Sequence, residues 1–221
     1  GGYNVEFITH FAESILARIH FVIRFKEDSA KEYHLQDLQN KLIQVARTWE
    51  DSTRDTLIEN FGEDKGLRLY TKYRGAFPAG YREEFISRTA VFDIKHMEKL
   101  NDDNLLEMSF YRSLEESEGT IRFKLFHMGS AVPLSDVIPM LECMGVRVLS
   151  ERPHEITPTE GKSIWINDFA MVHAQGHELN VEALKDVFQE AFYHIWMRHA
   201  ESDGFNRLVL EGGLSWREVM M

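Results

Sequence analysis

The sequence predicts an α+β fold: an open two-layer sandwich with an antiparallel-rich sheet and helices on one face, preceded by a helical segment and a β-hairpin. Two observations predict it. Apolar residues recur at helical spacing through much of residues 26–103, and beyond residue 104 they alternate with polar residues as they do in strands. Of the 221 residues, 43% are hydrophobic, which is enough to build a packed core.

The first 25 residues predict the hairpin. In residues 18–24, Ile19, Phe21 and Ile23 alternate with polar side chains, as expected of a strand with one buried face. Residues 3–11 predict its partner strand, with a turn at residues 12–14. Because an isolated hairpin is marginally stable, it needs a sheet or helices against it.

Helices are predicted in the segment that follows. Ser29 and Glu32 have the spacing of a capping box, and a row of apolar residues at helical spacing comes after them: Leu35, Leu38, Leu42, Val45 and Trp49. Helical spacing continues at residues 57–73, with a pause at Gly62 and Gly66.

A further helix is predicted at residues 89–100, with Val91, Ile94 and Leu100 facing inward. Between it and the previous helix, Gly75, Pro78 and Gly80 predict an interruption, because proline cannot donate a hydrogen bond and glycine weakens a helix.

Residues 105–199 have the pattern β-β-α-β-β-α. Alternation at residues 106–111 and 121–125 predicts a hairpin, and strands are predicted at residues 146–149 and 163–172. The last helix has one apolar face, made of Val181, Leu184, Val187, Phe188, Ala191 and Ile195.

The short helix in the middle of this pattern has a predicted cap at Ser135 or Asp136 and an end at Met144 and Gly145. Pro139 is expected in or near its first turn. Residues 151–155 (ERPHE) form a dense charged turn after the next strand, and the sequence leaves open whether this turn is a solvated loop or an interface.

Composition excludes several classes of partner. A formal net charge of −11 argues against nucleic acid or an anionic membrane as a partner, and the longest apolar runs are too short to span a bilayer. The single cysteine, Cys143, excludes an intrachain disulfide and fits a reducing cytoplasm. It is interpreted as a small buried hydrophobe.

No self-contained active site is visible in the pattern. There are ten histidines, so a metal site is a candidate. His173 and His177 have the spacing of metal ligands on a helix, but Gly176 and the end of the preceding strand argue against a helix there. His194 and His199 are five residues apart, so on a helix they do not share a face. The strand–loop–helix junction at residues 127–133 (HMGSAVP) has one glycine where a dinucleotide site needs three. Its amides could bind a small anion, or the glycine could simply ease a turn.

Several long and idiosyncratic stretches follow one another along the chain. The longest are residues 133–148 (PLSDVIPMLECMGVRV), which run on into residues 151–155, and residues 203–210 (DGFNRLVL) with residues 213–219 (GLSWREV). Shorter stretches are residues 16–21, 66–68, 76–83 and 164–169, with Trp49 and Asp55. Together they resemble the large, NAD-specific bacterial glutamate dehydrogenases, upstream of their catalytic domain.

This resemblance implies an activity for the parent protein. These enzymes oxidatively deaminate L-glutamate to 2-oxoglutarate and ammonia and reduce NAD, with catalytic and Rossmann-type domains well downstream. Since no catalytic motif of the family matches here, no catalytic, cofactor-binding or metal-ligating residue is carried over. NAD is expected in the parent enzyme and not in this segment.

The resemblance also implies a domain organisation, because the N-terminal portion of these enzymes holds ACT-like regulatory modules. Residues 1–25 would be the tail of a preceding ACT-like module, residues 26–103 a helical segment, residues 104–200 an ACT-like module and residues 201–221 the start of the next helical segment. The extra leading strand of residues 104–200 departs from the usual βαββαβ order of ACT modules.

ACT modules often bind amino acids near the glycine loop between the first strand and the first helix, so Gly129 and Ser130 are the residues expected to bind an effector. The alternative is that the module only packs against and positions other domains. The expected partners are other domains of the same chain, including the catalytic domain, further copies in a homo-oligomer, and an amino-acid effector. Neither nucleic acid nor a membrane is expected, and the expected location is the cytoplasm.

Both ends of the chain predict a fragment. Gly1 and Gly2 come directly before the first strand, and Ser215 and Glu218 are spaced as a capping box for a helix with almost no length left. Two alternatives stay open: a free-standing amino-acid-binding or adaptor protein with an ACT-like domain, and an independent enzyme that uses histidine or aspartate chemistry. The absence of an active-site motif disfavours the second alternative.

Overall fold

The computed structural model describes residues 3–10, 18–24, 36, 39, 48–112 and 119–220. For residues 3–10, 18–24 and 220 it describes only the backbone. The chain divides into two compact units, Gly1–Arg47 and Thr48–Met221. Within the described residues, no helix combines the length and the apolar composition needed to cross a membrane.

The first unit contains the predicted hairpin. Strands β1 (Tyr3–His10) and β2 (Arg18–Arg24) pair antiparallel, with Phe7 opposite Phe21. The predicted turn at residues 12–14 and the capping box of Ser29 and Glu32 lie outside the described residues. Of the helix predicted from Leu35 to Trp49, Gln36 and Gln39 are described as helical.

The second unit begins with two helices joined by a single residue. Helix α1 (Trp49–Phe61) starts at Thr48, whose Oγ1 accepts a hydrogen bond from the N–H of Asp51 at 3.1 Å. Helix α2 (Glu63–Tyr73) follows directly after Gly62, which adopts φ +80°, a conformation that favours glycine. The predicted pause in the helical pattern is thus a sharp turn.

Gly66 allows α2 to lie close against α1. A Cβ atom at this position would lie 2.7 Å from the Cα of Ile58, far inside van der Waals contact. The glycine that weakens the helical pattern in the sequence is therefore required by the packing of the two helices.

Two further helices complete the helical segment. Helix α4 (Ser87–Met97) corresponds to the helix predicted at residues 89–100 but ends at Met97. Val91 and Ile94 are buried on it as predicted, and Leu100 is buried beyond its end. Helix α3 (Ala79–Glu84) was not predicted, since Pro78 and Gly80 indicate an interruption. Pro78 occupies the N-cap of α3, where the helix does not need its missing N–H.

The sheet of the second unit has four antiparallel strands: β3 (Leu106–Tyr111), β4 (Ile121–Met128), β5 (Val146–Ile156) and β6 (Ile164–His173). Their order across the sheet is β3-β4-β6-β5. Strands β4 and β5 are parallel to one another with β6 between them, which is the split βαβ arrangement. The extra leading strand β3 takes the place beside β4 that the last strand of a βαββαβ module would fill.

Strand β5 is longer than predicted. The prediction that it ends at residue 149 and is followed by a charged turn is wrong, because the strand continues through Pro153 to Ile156 after a register shift between Val148 and Ser150. Strand β5 lies at one edge of the sheet that the described residues form. Proline is tolerated on such an edge because its missing N–H can face outward.

Two helices cover one face of the sheet, which confirms the two-layer sandwich for residues 106–196, while the other face packs against the helical segment. Helix α6 (Val181–Trp196) has the predicted apolar face, and its N-cap Asn180 accepts a hydrogen bond from the N–H of Ala183. Helix α5 (Leu134–Cys143) begins after Pro133, which has no side-chain cap.

The predicted cap of α5 is therefore wrong. Ser135 and Asp136 lie inside its first turn, because Pro133 already has the φ of −66° that suits a helix start. The same early start places Pro139 inside the helix, beyond the first turn.

The two faces of the sheet contribute to two hydrophobic cores. The core against α5 and α6 contains Phe110, Phe123, Phe169, Phe188 and Phe192, all buried. The opposite face packs against the helical segment through Phe126, Ile156, Ile164 and Ile166, which contact a core that includes Leu57, Tyr81 and Ile94. Residues of the helical segment therefore lie against the sheet face that α5 and α6 leave uncovered.

The C-terminal residues return to the first core. A 3₁₀ helix (Gly204–Arg207) leads into α7 (Leu208–Gly212) and α8 (Trp216–Met220). The predicted capping pair is confirmed: Glu218 accepts hydrogen bonds from the N–H of Ser215 at 2.8 Å and from its Oγ at 2.7 Å. These bonds lower the pKa of Glu218. The indole of Trp216 stacks on His194 at 3.8 Å.

Candidate functional site

The predicted effector residues lie in the loop between β4 and α5, and both are exposed. Gly129 adopts φ +88°, and its N–H donates to the carbonyl of Ser163 at 2.8 Å. The carbonyl of Ser130 lies 2.8 Å from Nδ1 of His127, so the imidazole donates from this nitrogen. These two bonds hold the loop in a tight turn at the end of the sheet. The role of Gly129 and Ser130 in effector binding stays a prediction.

A second feature is a group of charged side chains between the sheet and the helical segment. Lys124, on β4, is 1% exposed. Its Nζ donates to Oδ2 of Asp93, on α4, at 2.7 Å, and the hydroxyl of Tyr81, on α3, donates to the same oxygen at 2.5 Å. A buried carboxylate is retained at low cost only when it is paired and hydrogen-bonded in this way.

Aromatic rings surround the same ammonium group. Nζ of Lys124 lies 4.0 Å from the ring centroid of Phe85, 5.8 Å from that of Tyr81 and 6.0 Å from that of Tyr111. Cations are attracted to the faces of aromatic rings at these distances, and more strongly when water is excluded. The ammonium of Lys124 is thus stabilised by one carboxylate and three rings.

Neighbouring charges extend the group along the sheet. Nη1 of Arg122 lies 3.3 Å from Oδ2 of Asp168, and its Nη2 lies 3.9 Å from Oε1 of Glu84, on α3. Glu84 also pairs with Arg152 of β5, and its Oε2 lies 3.6 Å from Nε2 of His154. Glu84 therefore connects α3 to two strands of the sheet.

These residues are referred to together as the interface cluster. They are Tyr81, Glu84, Asp93, Arg122, Lys124, Arg152, His154 and Asp168. The charged stretch at residues 151–155, which the sequence left open as a loop or an interface, lies in β5, and its Arg152 and His154 contact α3.

Burial shifts the titration of several members of the cluster. It raises the pKa of Asp168 to about 7, against the opposing effect of Lys124 and Arg122. Burial and the adjacent Asp93 raise the pKa of Tyr81, which stays a neutral hydrogen-bond donor. Burial also lowers the pKa of His154, although Glu84 acts in the opposite direction.

Comparison with protein families identifies the chain along most of its length. Four family models match in order, all of glutamate dehydrogenase: the ACT2 domain at residues 1–50, helical motif 2 at residues 56–100, the ACT3 domain at residues 105–184 and helical motif 3 at residues 200–221.

Three similar proteins are all NAD-specific glutamate dehydrogenases. NAD-specific glutamate dehydrogenases from Halomonas elongata and Pseudomonas aeruginosa are 44% and 40% identical over 98% and 99% of the chain, and cover it with 13% and 14% of their own length. The enzyme of that name from Mycobacterium tuberculosis is 29% identical over 100% of the chain and 14% of its own length. The chain matches one segment of the large NAD-specific glutamate dehydrogenases. It spans 13% or 14% of the length of these curated relatives.

The interface cluster joins two parts of this glutamate dehydrogenase segment. Tyr81, Glu84 and Asp93 lie within the match to helical motif 2. Arg122, Lys124, Arg152, His154 and Asp168 lie within the match to the ACT3 domain. The cluster is therefore a polar contact between two modules that the family models treat as separate.

Sequence reasoning did not find the interface cluster, although one signal was present. Residues 164–170 (IWINDFA) form an almost wholly apolar strand interrupted by Asn167 and Asp168, and both are buried. A charged residue in a strand that reads as buried on both faces indicates a buried partner. The partner, Arg122, lies on a strand more than 40 positions away, so its identity depends on the pairing of β4 with β6.

The histidines of the segment do not gather into a metal site. Among the residues with described positions, no group of three or more histidine, cysteine, aspartate and glutamate side chains could hold a metal ion. At the end of β6, Nδ1 of His173 accepts from the N–H groups of Gln175 and His177, both at 3.3 Å.

The prediction that His194 and His199 lie on one helix, on different faces, is wrong. Their Nδ1 atoms lie 3.4 Å apart. The inference assumed that the helix continues, but α6 ends at Trp196 and Arg198 adopts φ +58°, which turns the chain back on itself.

Proposed function

We propose that this chain is a non-catalytic regulatory and architectural segment of an NAD-specific glutamate dehydrogenase. Other domains of the same chain would convert L-glutamate, NAD⁺ and water to 2-oxoglutarate, ammonia and NADH. The observation that carries the proposal is the sequence of matches, which alternates ACT domains with helical motifs of this family. The small share of the relatives' length that the chain spans supports it further.

The proposal includes a division of the chain and its partners. Residues 1–25 end one ACT-like module, residues 26–103 are helical, residues 104–200 form a second ACT-like module and residues 201–221 begin the next helical segment. The ACT2 match runs on to residue 50. The partners proposed are the catalytic domain and further copies of the chain in a cytoplasmic homo-oligomer, and NAD is the cofactor of the parent enzyme.

A direct assay tests the lack of catalysis. The purified 221-residue chain, mixed with L-glutamate and NAD⁺, is expected to give no increase in NADH absorbance at 340 nm. The NAD-specific glutamate dehydrogenase of Pseudomonas aeruginosa or Halomonas elongata, assayed under the same conditions, is the positive control. Glutamate-dependent NADH formation by the chain alone would contradict the assignment of catalysis to other domains.

We further propose that the loop at Gly129 and Ser130 binds an amino-acid effector. Two features support this: both residues are exposed, and the hydrogen bonds to Ser163 and His127 hold the loop in one conformation without using the N–H of Ser130 in any described bond. A preorganised loop loses less entropy on binding than one that must first be ordered.

Isothermal titration calorimetry with the twenty common amino acids tests this loop. At least one amino acid is expected to give heat with the wild-type chain, and Ser130→Trp is expected to abolish it by filling the loop. The matched control Glu160→Trp, in the exposed loop between β5 and β6, should leave the binding unchanged. No heat from any amino acid up to millimolar concentration, or equal loss in both variants, would contradict the effector site.

A further inference from the structure

The sheet face that packs against the helical segment carries charged residues on its two central strands. Arg122 and Lys124 lie on β4, and Asp168 lies opposite Lys124 on β6. The helices add two carboxylates to this face, Asp93 from α4 and Glu84 from α3. Closure of the helices on the sheet therefore brings three carboxyl groups into one buried region.

The three carboxyl groups are not equally compensated. Asp93 accepts hydrogen bonds from Lys124 and Tyr81, and Glu84 pairs with Arg152 and lies near Arg122. Asp168 is 0% exposed, and its charge contact is with Arg122 at 3.3 Å. Neither of its oxygens accepts a hydrogen bond from the residues that the structure describes.

We propose that Asp168 holds a proton while α3 and α4 are closed on the sheet and releases it when they open. Asp168 with these two helices is called the Asp168 latch. An ionised carboxylate without a hydrogen bond is unstable away from water, whereas a carboxylic acid is tolerated there. The protonated form therefore favours the closed interface, and the ionised form favours opening to solvent.

Charges on every neighbouring element bear on this proton. Asp93 on α4 and Glu84 on α3 favour protonation of Asp168, whereas Lys124 and Arg122 on β4 oppose it, and burial outweighs both to raise its pKa to about 7. Other titratable groups of the interface are Tyr81 on α3, Tyr111 on β3, and Arg152 and His154 on β5, with Arg152 opposite Asp168. Along the same face, His96 on α4 pairs with Glu107 on β3.

The direction of the pH dependence follows from the two pKa values. Asp168 changes from 3.8, its ordinary value, to about 7 in the folded chain. Between these pH values the folded chain binds a proton that the unfolded chain does not, so this stabilisation is present at low pH and is lost as the pH rises through 7. Three histidines, His96, His154 and His173, change stability with pH in the opposite direction. Burial lowers their pKa in the folded chain, so at acidic pH they bind a proton on unfolding. Their effect is therefore to make the folded chain less stable as the pH falls.

Comparison with a variant isolates Asp168 from these histidines. Urea denaturation of the 221-residue chain at pH 5, 6, 7 and 8 gives the unfolding constants of wild type and of Asp168→Asn, which resembles the protonated acid in shape. From pH 5 to pH 8, the wild-type constant is expected to rise relative to that of the variant by roughly 10- to 100-fold. Asp186→Asn, at an exposed position on α6, should show no such change.

Two results would overturn the proposal. A constant ratio across this pH range would mean that Asp168 is already ionised in the folded chain, as pairing with Arg122 would make it, and binds no extra proton. If Asp168→Asn does not fold, the carboxyl carbon of Asp168 in ¹³C-labelled wild-type chain gives the same answer. We expect this signal to titrate near pH 7, and titration near pH 4 would contradict the proposal.

Hydrogen exchange distinguishes a latch from a general effect on stability. After correction for intrinsic exchange rates, amides of α3 and α4 in the wild type are expected to lose protection between pH 6 and pH 8, while those of α6, on the opposite face of the sheet, keep theirs. In Asp168→Asn, α3 and α4 should keep their protection as well. Equal loss in α6 would show that the proton is linked to global unfolding and would exclude the latch. None of these measurements depends on glutamate turnover or effector binding.

Discussion

Replacing Lys124 by methionine is expected to lower the free energy of unfolding by about 3–5 kcal/mol, because the substitution leaves a buried carboxylate without its cation. Methionine is close to lysine in length and apolar, so the packing against Phe85 and Tyr81 is largely kept. The substitution removes the hydrogen bond of 2.7 Å from Nζ of Lys124 to Oδ2 of Asp93. Asp93 is only 4% exposed, so water cannot replace this bond. Urea denaturation at neutral pH measures the loss.

The chain offers a matched control for this substitution. Lys162 and Asp102 form a pair at 2.8 Å, but their side chains are 62% and 85% exposed, so water screens the pair and Lys162→Met should leave the free energy of unfolding close to that of the wild type. The double variant Lys124→Met with Asp93→Asn should lose less than the two single variants summed, since it no longer buries an unpaired charge. Equal losses for Lys124→Met and Lys162→Met would contradict the electrostatic role of the buried pair.

The order of elements could be predicted because each carries its own local period. Strand β4 alternates Ile121, Phe123 and Leu125 with charged residues, and α6 presents an apolar face at helical spacing, so both were found from their own residues. The errors occur where long-range packing overrides a local signal. Pro153 reads as a strand end, and only its place on an edge strand makes the proline acceptable.

The missed helix α3 has the same kind of cause. Pro78 and Gly80 are poor helix residues, and six residues supply too few hydrogen bonds to form a helix alone. Its stability comes from the tertiary contacts of Tyr81, which is buried against Asp93, Phe77 and Phe85. A helix that exists through its contacts cannot be found before those contacts are known.

The two candidate sites differ in whether the sequence alone reveals them. The loop at Gly129 and Ser130 was inferred from one continuous stretch and one resemblance, so it could be named from the sequence. The interface cluster draws its members from five elements, α3, α4, β4, β5 and β6. Lys124 and Arg122 even read as the exposed face of a half-buried strand, because the sequence does not show that the helical segment covers this face of the sheet.

Phe123 tests the core that the sheet forms with α5 and α6. It is 0% exposed, and its ring lies 5.4 Å from that of Phe188 and 5.0 Å from that of Phe192, both on α6. Phe123→Ala removes these contacts and leaves a cavity that neighbouring rings fill only in part. The expected loss is about 3–5 kcal/mol of unfolding free energy, measured by urea denaturation.

The loss of unfolding free energy should depend on the burial of the phenylalanine ring, since an exposed phenylalanine makes few contacts. Phe205 is 68% exposed, so Phe205→Ala is expected to stay within about 0.5 kcal/mol of the wild type. Because Phe123 and Lys124 are neighbours on β4 with side chains on opposite faces, their variants probe two different cores through one strand. A loss below about 1 kcal/mol for Phe123→Ala would mean that the sheet and α6 do not form the tightly packed layer described above.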